Sequence, residues 1–317
     1  MAIKRYVSLG KEPNYGITAA PQRYAEAIAS IKPNQGWIIP NPIASREFRK
    51  RNLGPYRTRG SIGEFPVEPE NIIGELLLAV FGSVNTSNPA TGVYQHVFLP
   101  EDTLPSYTLR LGSEQIERVL PGGLVESLTV KFPHNDDLKA RAEILSGFIE
   151  STASLATPTL SPLQALNMLL YPGTSVLKIG GVSKKNIVYD LEVTIKNNIP
   201  FDRGDLSGRT FSKKRYGQRE VTGKVSAYFD DTTEYDRFIA GEEFKVEVRA
   251  HGPVFVDPTW NYVMGFDLEK CVYLRDVSPD IAAINEPLVV DAPFKAFYNP
   301  SVGYEARGIL QNAISAY

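Results

Sequence analysis

Residues 54–82 read GPYRTRGSIGEFPVEPENIIGELLLAVFG, and residues 215–241 read RYGQREVTGKVSAYFDDTTEYDRFIAG. Each opens on a Gly/Tyr turn, continues as a strand with a glycine inside it, and ends in an apolar helix-like run closed by Gly82 or Gly241. About 160 residues separate them, half the chain. Self-similarity at that distance predicts a tandem duplication. The expected fold is mainly β: two tandem antiparallel β-sandwich or barrel domains, each with a small packed helix.

Composition agrees with that class. The 317 residues suffice for two domains with cores of their own. Sixteen tyrosines, with many Val, Ile and Thr, favour sheet over helix. A net charge of −2 gives no reason to expect nucleic-acid or membrane attraction. Cys271 is alone, which excludes an intrachain disulfide, and it reads as a buried strand residue. No apolar run approaches the ~18 residues of a membrane span. Met1–Lys11 lacks an apolar signal core, so synthesis in the cytosol is expected.

Along the chain, residues 1–45 read as irregular, with Tyr24, Ile28 and Ile31 at helical spacing over Pro21–Ile31. They form either a strap over their own domain or an arm on a neighbouring subunit. Residues 46–59 are basic and read as interface salt bridges or a solvated hairpin. Residues 60–67 predict a strand. Pro69 then opens a helix carrying Ile72, Ile73, Leu76, Leu77, Val80 and Phe81, with Glu68 and Glu70 near its positive end. Asn85–Gly92 reads as a polar loop, and His96 as a strand residue. Period-two alternation marks strands at 107–111, 128–132 and 138–144, with a tight turn at His134–Asp136. A Ser/Thr/Pro-rich linker at 149–162 divides the chain into 1–155 and 156–317, and Ser161 can cap a helix through Tyr171. Tyr189–Lys196 is the cleanest strand. Residues 197–219 form a long polar excursion, read as a projecting hairpin or arm. A strand at 221–229, a helix over 232–240, an edge-quality strand at 244–248 and a mixed end complete the pattern.

Catalytic and metal signatures do not emerge. His96, His134 and His251 lie in unrelated contexts, no serine sits in a nucleophile elbow, and no glycine-rich phosphate loop occurs. Asp230 with Asp231, and Asn135–Asp137, read as acidic turns rather than cation loops. No cofactor is implied. A scaffold remains, and exchanged arms and loops suit a ring or filament.

The opening, AIKRYVSLGKEPNYG, resembles tail tube proteins of long, non-contractile-tailed bacteriophages. Gly60–Pro69, the Leu-rich run ending Phe81–Gly82, Val93–Phe98 and Leu104–Leu111 resemble the same family in the same order. The likeness is strongest over residues 1–148, and the second half agrees in layout. The resemblance implies a structural virion protein without enzymatic activity, made in the host cytoplasm and placed in the tail. It implies rings around a channel that conducts DNA. With two tube domains per chain, a trimeric ring of pseudo-sixfold symmetry is expected. The 197–219 loop would be the hairpin that reaches the next ring, through Asp202, Arg203, Asp205, Arg209, Lys213 and Lys214. Arg46, Arg49, Arg51 and Arg57 would be its first-domain counterpart. Implied partners are a tape-measure protein, a tail terminator and tail-tip proteins. The lumen is expected to be acidic or near neutral, drawn from Glu126, Glu143, Asp190 and Glu192 against Lys131, Lys139, Arg141 and Lys196. A baseplate hub, a terminator, a secretion tube and a carbohydrate-active sandwich are the rival readings.

Overall fold

The computed structural model describes residues 5–38, 52–158, 168, 174–200, 208–211, 213–256, 259–275, 277 and 288–317. The first half contains β1 (Arg5–Lys11), β2 (Arg23–Ala25), β3 (Ala29–Ile38), β4 (Asn52–Pro66), α1 (Ile73–Phe81), β5 (Gly82–Ala90) and β6 (Val93–Pro100). It continues with β7 (Tyr107–Ser113), β8 (Ile116–Pro133), β9 (Lys139–Ser146) and β10 (Ser151–Ala153). The second half contains β11 (Val176–Ile179), β12 (Val182–Ser183), β13 (Val188–Lys196), β14 (Glu220–Tyr228) and α2 (Thr233–Ala240). Then come β15 (Phe244–Val256), β16 (Trp260–Tyr273), β17 (Val289–Ala296) and β18 (Ala306–Asn312). The protein is mainly β, as the alternating apolar positions predict.

The ladders are antiparallel, and those of the first half recur in the second. β1 pairs with β2 and β7, β4 with β3 and β9, and β8 with β7, β9 and β10. Likewise β11 pairs with β12 and β15, β14 with β13 and β17, and β16 with β15, β17 and β18. Register agrees too. Gly60 lies opposite Ile144, and Gly223 opposite Phe294. The row Leu9–Leu109–Leu120 matches the row Ile179–Val246–Leu268. The β5–β6 hairpin stands outside this correspondence.

The two halves do not separate into bodies with their own cores. Residues 127–133 of β8 pair with 190–196 of β13, and β18 pairs with β6. One apolar cluster, from Val7 to Leu310, runs through both halves. The sheet does not close into a barrel: β3 and β5 each pair along one edge among the described residues. Two discrete tandem domains are thus not clearly resolved among the described residues. β8 links the layers. Its start pairs with β7 and β10 in one sheet and its end with β9 and β13 in the other, with Gly122 (φ 67°) at the bend.

The helices share a position and differ in environment. All nine residues of α1 are buried, including Glu75, so the expected stripe is apolar almost all round. It begins four residues after Pro69, where the Asn71 side chain accepts a hydrogen bond from the Ile73 N–H (2.9 Å). Gly82 (φ 106°) and Gly241 (φ 62°) end the two helices in conformations that suit glycine. No residue of α2 is buried, and Ile239 is 64% exposed, so α2 lies on the surface and is not a fully packed helix. Only Phe238 on it reaches the core.

Other local expectations fail where tertiary pairing overrides local pattern. The N-terminal segment is not irregular throughout: among its described residues β1, β2 and β3 are strands, and β1 is buried in its interior and pairs with β7 in its own chain. Residues 21–31 are not helical. Val7 pairs with Ala25, and Ile28 is 86% exposed. The polar run at 85–92 is largely strand β5, held by β6. Residues 52–59 extend β4 backward against β3. β15 is no edge strand, since β11 and β16 flank it. The capped helix expected over 161–171 falls almost wholly outside the described residues.

Candidate functional site: a mixed-charge sheet face

Strands β3, β4, β9, β8, β13, β14 and β17 lie side by side in that order. Strict alternation gives this sheet two faces. Ile62, Ala142, Leu128 and Ile195 lie in one transverse row and are buried against the core. The next row, Ser61, Glu143, Ser127, Lys196 and Glu220, faces the other way. Beyond it come Arg141, Thr129, Thr194, Thr222 and Lys295, and then Lys139, Lys131, Glu192 and Lys224. Thus the polar positions read from six separate strands converge on one surface.

Charges of both signs interleave on it. Lys131 pairs with Glu64 (2.5 Å), Lys224 with Asp291 (2.7 Å), Lys295 with Glu220 (2.6 Å) and Arg141 with Glu192 (3.5 Å). Lys139 and Lys131 stand directly opposite each other, an unfavourable pair, but Lys139 is bonded to Asp136 and Lys131 to Glu64. Thr129 and Thr194 hydroxyls meet at 2.9 Å. The hydrogen bond from Lys131 holds the Glu64 carboxyl below the usual range, and that from Lys295 does the same for Glu220. Burial and then Glu192 push Asp190 up. Such exposed pairs add little stability each. Their effect is to cancel field locally, so no stretch of one sign runs across the face. Glu126 differs from the other seven expected lining residues. It is drawn toward the long polar segment, where its carboxylate accepts the Ile199 N–H (2.7 Å).

The expected interface residues divide. Arg46, Arg49, Arg51, Asp202, Arg203 and Asp205 lie outside the described residues. Arg209 stacks on Tyr56 (4.1 Å to the ring centre) and donates to the Gly54 carbonyl (2.9 Å), while the Tyr56 N–H donates to the Arg209 carbonyl (2.8 Å). Lys214 and Tyr216 both donate to the Leu104 carbonyl (2.9 Å each). The C-terminal leg of the 197–219 segment therefore rests on the first half of its own chain. Lys213 is exposed, and Arg57 sits in β4 opposite Asn34.

His96 is buried, with Thr86 Oγ1 2.8 Å from Nδ1 and the Ile314 carbonyl 2.9 Å from Nε2, and burial pushes its pKa down. Cys271 is buried and its thiol is pushed up by burial. Among the described residues no cluster of His, Cys, Asp and Glu could hold a metal ion. Sequence reasoning missed two charged groups, Arg219 where the halves meet and Asp267 inside the second half. Arg219 donates to the Glu101 carbonyl (2.7 Å) and pairs with Glu305 (3.3 Å). Asp267 is fully buried between Arg249 (2.5 Å) and Arg307 (2.7 Å). A lone acid inside the apolar run Tyr262–Leu268 was its signal.

The phage tail tube protein family matches residues 3–291. The chain belongs to that family. No curated protein matches it. As a phage tail tube protein, it is a structural component of the virion tail and not an enzyme, made in the host cytoplasm, and its role is to assemble with itself into the tube.

Proposed function

We propose that this tail tube protein assembles as trimeric rings in which six strand-and-helix units, at 1–155 and 156–317 of each chain, surround the channel. The recurrence of seven ladders in matching register carries this reading. The β8–β13 ladder would supply the junction between units inside one chain. The mixed-charge face lines the lumen. Phosphates passing it meet no continuous positive surface, so few counterions are released and DNA slides instead of binding. The 197–219 segment, with Asp202, Arg203 and Asp205, reaches the next ring, and the 46–59 region with Arg46, Arg49, Arg51 and Arg57 is its first-domain counterpart. The tube forms around a tape-measure protein and is closed by terminator and tail-tip proteins. Electron microscopy of the purified protein, averaged down the tube axis, tests the reading. Three copies with six similar lobes are expected, with the Lys131–Glu192 face toward the channel. Six copies per ring, or a strictly monomeric protein at all concentrations, would refute it.

A further inference from the structure

α1 and α2 hold the same place in the ladder pattern, yet one is buried and the other bare. The second half covers α1. Gly308 of β18 lies so close that a Cβ there would stand 3.0 Å from Phe81 and 3.4 Å from Leu77. The Phe266 ring of β16 lies 6.5 Å from that of Phe81. Gly308 and Phe266 are direct partners across the β16–β18 ladder.

Register identifies the corresponding groups elsewhere in the chain. Leu120 and Leu268 occupy the same row position, so Arg118, opposite Thr152, stands where Phe266 stands opposite Gly308. Counting back from the closing glycines, Asp236 corresponds to Leu77 and Ala240 to Phe81. The junction inside the chain is apolar on both sides. Its counterpart replaces the large apolar groups: Asp236 and Ala240 stand on α2, Thr152 and Arg118 on the strands. Asp236 and Thr152 are exposed.

We propose that the bare face of α2 docks on β8 and β10 of a second copy of this chain, with Asp236 meeting Thr152 and Arg118. The inference rests on the trimeric ring above. Within one chain, the half that follows a unit covers its helix. Around a ring, the first half of the next copy stands in that relation to α2. Residues 230–243 carry six acids against one base, Arg237, and Arg118, which pairs with Glu150 (2.7 Å) in its own chain, would share its guanidinium with Asp236. A contact made only on assembly also has reason to be polar, because each copy must stay soluble beforehand.

The test is a charge swap read by ring formation at low salt. Thr152→Asp and Asp236→Lys should each raise the concentration needed for rings by about tenfold or more, since like charges across an interface cost several kcal/mol. The double variant T152D/D236K should recover wild-type behaviour, with circular dichroism showing all three folded. Oxidised Asp236→Cys/Thr152→Cys should give disulfide-linked dimers and trimers on a non-reducing gel. Purely additive effects in the swap, or rings without cross-links, would overturn the contact and leave the ring intact. A wild-type protein that forms no rings would overturn both.

Discussion

At the residue scale, Glu68 shows what an ionisable group costs when folding buries it. It lies just before α1, 5% exposed, and burial, aided by Glu26, pushes its carboxyl from 4.5 up to about 7. Between those values the folded protein holds a proton that the unfolded chain has released. Stability therefore falls as pH rises through that window, is unaffected below it, and carries the full cost, about 3 kcal/mol, above it. Glu68→Gln should raise the melting temperature near pH 8 and leave it unchanged near pH 4. Identical pH profiles for the two proteins would show that Glu68 is not the group responsible. Asp267 is the opposite case. Burial pushes its pKa up, but Arg249 and Arg307 outweigh it and hold it low, so its contribution is lost as pH falls.

At the element scale, α1 shows how far sequence reasoning reached. Its stripe and its stop at Gly82 were legible, because helical spacing and glycine chemistry are local. Its complete burial was not, because part of the cover comes from distant residues of the second half, Phe266, Gly308 and Tyr317. Tyr317 rests on Gly74, where a Cβ would stand 2.0 Å from the ring, and its hydroxyl lies 2.6 Å from the Asn312 side chain. Arg23 lies over the same ring and pairs with buried Glu75. Tyr317→Ala should therefore cost about 3 kcal/mol in a denaturant melt, as a large aromatic loss does. An unchanged melt would show that the C-terminal residues do not secure the helix. β5 failed for the same nonlocal reason: Asn85–Gly92 has loop composition, and only its ladder to β6 makes most of it a strand.

At the scale of the whole molecule, the duplicated strand-turn-helix wording was the informative signal, and the order of ladders follows it. The continuity of the halves was hidden, since which strand edges meet depends on register and not on composition. The mixed-charge face was half legible. Alternation named its residues, but only the ladder order brings Lys131 beside Glu192 and Thr129 beside Thr194. The long polar segment is subtler than its composition. Arg209, Lys214 and Tyr216 fasten one leg to the first half, which leaves 201–207 as the part to remove. Deleting 201–207 should give folded protein that forms single rings without stacking, seen by electron microscopy. Full-length tubes from that variant would exclude a stacking role.

The β8–β13 ladder has a kinetic consequence. In a ring of three two-unit chains, three of six junctions are already made before any two chains meet. Those strands experience an effective concentration set by the tether between them, independent of how much protein is present. Nucleating a ring then takes encounters among three bodies and not six, so the lag before tube growth should depend far less steeply on protein concentration than it would for separate single-unit chains.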